Sequence, residues 1–271
     1  MKNNWLGEKY YHRALYDEMI YFYQLTFDDD GEEIYRIRGL MGNLVRKARK
    51  AFSPEMTIKQ KVDRLLALVY DDWGFYCDPS NYFHSSNLYL HYVLKNRSAM
   101  PISIAGIILY LAESLSLPIY PVNFPTQLIL RVDIEKETFF VDPWDGKYVT
   151  YQYLQQLYEG AFGFAAEMKE ETLQYAGCNE LVKRFSEIAK NALIRDQLNF
   201  SALVYIEALV DRHPNSPYEV RDRGIVFVKL GCIRAAVDDL THFVEKCPHD
   251  PSAILLANQI SELKNELEPI H

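Results

Sequence analysis

Residues 101–146 read PISIAGIILYLAESLSLPIYPVNFPTQLILRVDIEKETFFVDPWDG, and this stretch decides the fold. Pro101 suits the first turn of a helix, where its missing N–H is not needed. The residues that follow are apolar almost without interruption from 102 to 111, until Glu113. A helix that is apolar on most sides is a buried helix, so 101–115 is read as the core helix, closed by Ser116-Leu117-Pro118. Three strand candidates follow at 119–122, 127–134 and 138–142. Glu135-Lys136-Glu137 turns the chain between the last two, which pairs them as a hairpin. A buried helix followed by a small antiparallel sheet is α+β architecture.

Helices precede this segment. Residues 10–26 carry Leu15, Met19, Ile20, Phe22 and Tyr23 at helical spacing, and Asp28-Asp29-Asp30-Gly31 breaks the pattern. Residues 32–50 predict a second helix, with Ile34, Ile37, Leu40, Met41, Leu44 and Val45 on one face. Ser53-Pro54 ends it, because the residue before a proline resists the helical conformation. A third helix is expected over 56–70, starting at Thr57. Asp71-Asp72-Trp73-Gly74-Phe75 and Asp78-Pro79-Ser80-Asn81 are turn chemistry, and 88–94 is a short helix. Beyond Trp144-Asp145-Gly146, residues 151–158 return to helix.

From Glu180 the chain reads as helical and repetitive. Arg223-Gly224-Ile225-Val226-Phe227, then Gly231, Ala236, Leu240, Phe243 and Pro248, follow tetratricopeptide spacing. A shift of 34 residues maps Pro248 to Pro214, Ala236 to Ala202, Leu240 to Ile206 and Phe243 to Leu209, although the first copy's leading helix lacks the glycine. Residues 252–267 would cap the array. Two repeats and a cap fall short of the three usual for an independent stack, so the segment is expected to lean on what precedes it. The expected division is 1–175 and 176–271, with the boundary near 165–180.

The composition fits this picture. The 271 residues are 49% hydrophobic and 24% charged, as in an ordinary globular chain able to bury a full core. The apolar run at 102–111 is too short to span a bilayer, and no apolar stretch behind Met1-Lys2-Asn3-Asn4-Trp5 offers a secretory signal. A cytoplasmic protein without membrane partners is expected. The net charge of −8 argues against nucleic acid, which needs basic surface. The cations Arg46, Lys47, Arg49 and Lys50 read as a solvated helix face. Cys77, Cys178, Cys232 and Cys247 form no CxxC pair, so free thiols are expected, with no zinc and no cofactor. Twenty tyrosines are present, five of them between Tyr10 and Tyr23, read as packing the first helix on the core.

Several motifs accumulate in order: Asp72-Trp73-Gly74-Phe75; Asn87 with Val93-Leu94-Lys95-Asn96-Arg97; Pro101-Ile102-Ser103-Ile104; Phe124-Pro125-Thr126-Gln127-Leu128-Ile129-Leu130-Arg131; Asp142-Pro143-Trp144-Asp145-Gly146; and Pro217-Tyr218-Glu219-Val220-Arg221-Asp222-Arg223-Gly224. Together they resemble the bacterial SirB family, in its transglutaminase-like branch with C-terminal tetratricopeptide repeats, over roughly residues 55–260. The resemblance implies a cysteine-protease-like core. There a Cys opens a buried helix, a His follows on one strand and an Asp on the next. A helix N-terminus lowers a thiol's pKa, His takes and returns the proton, and Asp fixes the His tautomer. It also implies a link to regulation.

This chain departs from that triad. Ser103 is the polar group nearest the helix start, Gln127 stands at the base position, and Asp142 alone matches. An amide cannot accept a proton near neutral pH, and without a base Ser103 stays a neutral hydroxyl. The plainer readings are a helix-start hydrogen bond for Ser103, a polar strand residue for Gln127 and a turn residue for Asp142. Trp73, Asn87, Arg131 and Trp144 are cleft candidates, weighed against core packing for the tryptophans and local ion pairing for Arg131. Cys77, in a turn-rich loop near His84 and His91, is a displaced-nucleophile candidate weighed against a plain loop thiol. Arg221 and Arg223 are interaction candidates on the repeat's first helix, weighed against ion pairs within the repeat. The expectation is a pseudoenzyme acting through a protein partner. The alternatives are an amide hydrolase or acyl transferase using Ser103 or Cys77 with Gln127 and Asp142, and a small-molecule sensor using the vestigial cleft.

Overall fold

The computed structural model describes residues 11–27 and 31–267. Its architecture is mostly helical with one small antiparallel sheet, followed by a repeat segment. Helices α1 (Tyr11–Thr26), α2 (Glu32–Ala51), α3 (Ile58–Ala67) and α4 (Leu90–Asn96) lead to α5 (Pro101–Leu115). A capping box starts α3: Gln60 N–H donates to the Thr57 hydroxyl, and Thr57 N–H donates to the Gln60 carbonyl. The helix expected to run to residue 70 instead widens into a π turn over Leu68–Asp72, where Trp73 N–H reaches back to the Leu68 carbonyl at 2.8 Å. Such turns often accompany functional sites. Tyr16 and Tyr23 of α1 are buried, whereas Tyr10 and the side chain of Tyr11 lie outside the described residues.

Pro101 stands at the first position of α5, and ten of its fifteen residues are buried. Full burial of each large aliphatic side chain stabilises by roughly 1.5–3 kcal/mol. Gly106 is there for a close crossing: a Cβ on it would lie 2.4 Å from Met19 Cε on α1. The sheet has the order β1 (Ile119–Asn123), β2 (Leu128–Ile134), β3 (Glu137–Val141), β4 (Tyr148–Val149), all antiparallel. The hairpin turn is Glu135 and Lys136, with Glu135 in the left-handed region at φ 55. Expected strand ends shift by one residue, so Gln127 precedes β2 and Asp142 follows β3. Helix α6 (Tyr151–Phe162) covers a core of Val122, Phe124, Ile129, Phe140 and Leu154.

Two compact units divide between Ala189 and Lys190, inside α7 (Cys178–Arg195); the sequence reading sets the division ahead of that helix. The second unit holds α8 (Asn199–Arg212), α9 (Pro217–Lys229), α10 (Ile233–Lys246) and α11 (Ala253–Leu267). In it, α9 packs on α8 and α10, and α10 packs on α11. The 34-residue period extends to the backbone itself. Leu198 and Cys232 share φ,ψ near −82°, 57°, and His213 and Cys247 share values near −130°, 60°. Where the second copy turns on Gly231 at φ 74, the first turns on Gln197 at φ 59, so the left-handed turn survives without glycine. Gly224 permits the α9–α10 crossing, since a Cβ there would lie 3.0 Å from Leu240. The equivalent position of the first copy is Lys190, which is buried and bonds both Glu219 and Asp222 of α9 at 2.7 Å. Among the described residues, no helix is long and apolar enough to cross a membrane.

Candidate functional site

A cleft of about 500 Å³, counting its open mouth, lies in the first unit. The start of α5 supplies Met100, Pro101 and Ile102. The β1–β2 loop supplies Thr126 and Gln127, with Leu128 beside them. The segment after β3 supplies Asp142 and Trp144, and Tyr82, Arg184 and Ile188 complete the wall.

Asp142 sits at the base of a tight turn. Its N–H donates to the Lys147 carbonyl, and its own carbonyl accepts from Gly146 N–H at 2.9 Å. Gly146 takes φ 71 and lies flat on Tyr70, where a Cβ would come within 2.3 Å of the ring. The Tyr70 hydroxyl donates to the Pro143 carbonyl at 2.7 Å, so the π turn that aims Tyr70 also props the turn carrying Asp142. The carboxylate accepts Gln127 Nε2–H at 2.8 Å on Oδ2 and Trp144 N–H at 2.9 Å on Oδ1. Burial pushes its pKa up; those two hydrogen bonds pull it down and Asp145 pushes it up again, leaving it above the usual value. Trp144 rests beside Tyr82 with ring centroids 5.4 Å apart.

Ser103 is fully buried and does not line the cleft. Its hydroxyl donates to the Asn87 carbonyl at 2.8 Å, rather than accepting from helix-start N–H groups. Asn87 ties the loop before α4 to the start of α5. Its Nδ2 donates to the Asn81 carbonyl, its Oδ1 accepts from Ser98, and its carbonyl accepts Met100 N–H. Cys77 is buried outside the cleft lining, and burial, then Asp142 and Asp145, push its thiol up to about 12. That is the opposite of an activated thiol. Trp73 closes the π turn, and Arg131 bonds Asp133 and the Leu173 carbonyl and lies over the Tyr175 ring; neither lines the cleft. His84 bonds Ser86, while His91 packs edge-on against Tyr23.

In the repeat unit, Arg223 grips Asp239 with two hydrogen bonds of 2.7 and 2.8 Å, joining α9 to α10. Arg221 bonds Asp222 and lies over the Tyr218 and Phe243 rings. The basic residues Arg46, Lys47, Arg49 and Lys50 are all exposed.

The reading of residues alone missed Arg184 and Tyr82. Arg184 had a usable signal: it falls three residues after Leu181 and four before Ile188, on the apolar face of α7. Its guanidinium bonds the Asn123 side chain and the carbonyls of Phe124 and Pro125, and burial lowers its pKa.

Comparison with known proteins matches this architecture. A family model described as the transglutaminase-like superfamily matches residues 35–187, and a tetratricopeptide-repeat model matches 189–261. A UPF0162 protein of Haemophilus influenzae is 50% identical over 97% of this chain and 100% of its own length. The UPF0162 protein YchA of Escherichia coli K12 and the protein SirB1 of Salmonella typhimurium are each 34% identical over 84% of this chain and 85% of their own. No solved structure matches the chain.

Proposed function

Because the chain belongs to the transglutaminase-like family that includes the UPF0162 and SirB1 proteins, we propose that it is a non-catalytic member acting through protein–protein interaction, in a regulatory role and a cytoplasmic setting. The observation that carries this reading is the 2.8 Å hydrogen bond from Gln127 to Asp142. An amide donating to the carboxylate occupies the station where a proton-accepting imidazole would be oriented. Neither candidate nucleophile of the rival amide-hydrolase reading lines the cleft. Ser103 is committed to a carbonyl, and Cys77 is held protonated. The interaction half of the proposal draws on the tetratricopeptide segment, since stacked helical repeats present extended surfaces to partners. Phe200 of α8 and Ile254 of α11 are large apolar side chains left exposed there, which suits a partner surface.

Two measurements test the proposal. The first is ammonia release from a panel of glutamine peptides and simple amides, combined with site-resolved alkylation. No release above buffer is expected, and Cys77 should label about a thousandfold more slowly at neutral pH than an ordinary thiol. Turnover, or fast labelling of Cys77, overturns the non-catalytic reading. The second is affinity capture from the native cell with the full chain and with Phe200→Asp and Ile254→Asp. A specific partner lost in these variants is expected; capture unchanged by both overturns the interaction surface.

A further inference from the structure

We propose that the cleft binds a free amino acid with an apolar or aromatic side chain, its carboxylate on Arg184 and its ammonium on Asp142. The inference starts from two charges on one cavity wall that nothing in the chain neutralises. Arg184 is partly buried, and Nε and Nη2 donate only to neutral oxygens, those of Asn123, Phe124 and Pro125. Its Nη1 has no acceptor, and no carboxylate bonds the guanidinium, among the described residues. Asp142 mirrors it, with both oxygens served by neutral donors, Gln127 and the Trp144 backbone. Each group is held out of water at a desolvation cost that an opposite charge would offset. They do not offset one another, since no ion pair joins them.

A ligand that carries both charges answers both groups. A ligand with one charge leaves the other bare, and a neutral one leaves both. The remaining wall fits the rest of such a molecule. Gln127 Oε1 and the Thr126 hydroxyl add acceptors near Asp142, while Met100, Ile102, Leu128 and Ile188, with the Tyr82 and Trp144 rings, form an apolar lining. The volume suits one small molecule rather than a polymer. Tying the 124–127 loop to α7 would account for the bonds from Nε and Nη2, but not for Nη1 facing an open cleft.

The test is isothermal titration of the full chain with each of the standard L-amino acids, followed by the N-acetyl and C-amide derivatives of the tightest. At least one apolar or aromatic amino acid is expected to bind. Blocking either charged end, or introducing Arg184→Gln or Asp142→Asn, is expected to weaken it at least about tenfold. Arg184→Lys, which keeps the charge, should retain part of the affinity. Absence of heat with every amino acid overturns the proposal, as does undiminished binding of the blocked derivatives. Those derivatives are titrated into the wild type, so the result stands even where a variant fails to fold. The proposal is independent of the non-catalytic reading. Consumption of the bound amino acid would overturn that reading and leave the binding intact, whereas silence in the wild type removes the binding alone.

Discussion

In the repeat unit, buried Lys190 meets two carboxylates at 2.7 Å; in the cleft, Arg184 meets only carbonyl and amide oxygens. The contrast recurs with the acids. Asp239 is gripped on both oxygens by Arg223, while Asp142 is held by an amide and a backbone N–H. Within the repeats, opposite charges are matched to fasten one helix to the next. Around the cleft, neutral dipoles orient each charge and leave it free to act on something else. One chain therefore uses the same residue types in two ways, and the identity of the hydrogen-bonding partner tells them apart.

The harshest way to break this comparison is Lys190→Met. It leaves Glu219 and Asp222 buried together without their cation, and a loss of about 3–5 kcal/mol is expected in urea unfolding. A near-neutral result would mean that the matched charges of the repeats do not fasten helices. Gly146→Ala comes next, on the cleft side. It forces a side chain into the left-handed region and against the Tyr70 ring, at an expected cost of about 2–4 kcal/mol. Followed by the fluorescence of Trp144, it should disturb the turn that presents Asp142. The gentlest test is a pH series in Asp133→Asn and Asp142→Asn.

Those two aspartates carry opposite signs. Burial pushes Asp133 up, but hydrogen bonds from Tyr175, Thr138 and Arg131 outweigh it and hold the carboxyl below 3.8. Its stabilisation is present above 3.8 and is lost as pH falls through the lower folded value. Asp142 is held above 3.8, chiefly by burial, so its contribution is present below 3.8 and is lost as pH rises through the higher folded value. The stability difference between wild type and Asp133→Asn should grow with pH, and that for Asp142→Asn should shrink. Parallel slopes would show that Asp142 is already compensated, which would weaken the contrast.

Much of the fold was legible because its signals are local. Pro101 and the apolar run behind it defined α5, Glu135 and Lys136 defined the hairpin, and the 34-residue spacing of Ala202 and Ala236 defined the repeats. What escaped depends on distant partners. The two residues of β4 are a strand only because Phe140 and Val141 lie beside them. The π turn has no composition of its own. Gln197 takes a left-handed turn that glycine would have advertised. The site was half legible: family stations pointed to Gln127 and Asp142, and the structure joins them. Ser103 occupied its station in sequence, yet its hydroxyl points to Asn87. Only the folded chain brings Arg184 to the loop after β1.

The π turn at Leu68–Asp72 has a consequence of phase. Fitting an extra residue into one turn advances everything after it by about 100° around the helix axis relative to an unbroken α-helix. Tyr70 stands inside that turn, and its hydroxyl reaches Pro143 because of the offset. Deleting a single residue there would be a frameshift in space: the code downstream stays in register, while the side chain that props the cleft's acidic turn rotates away from it.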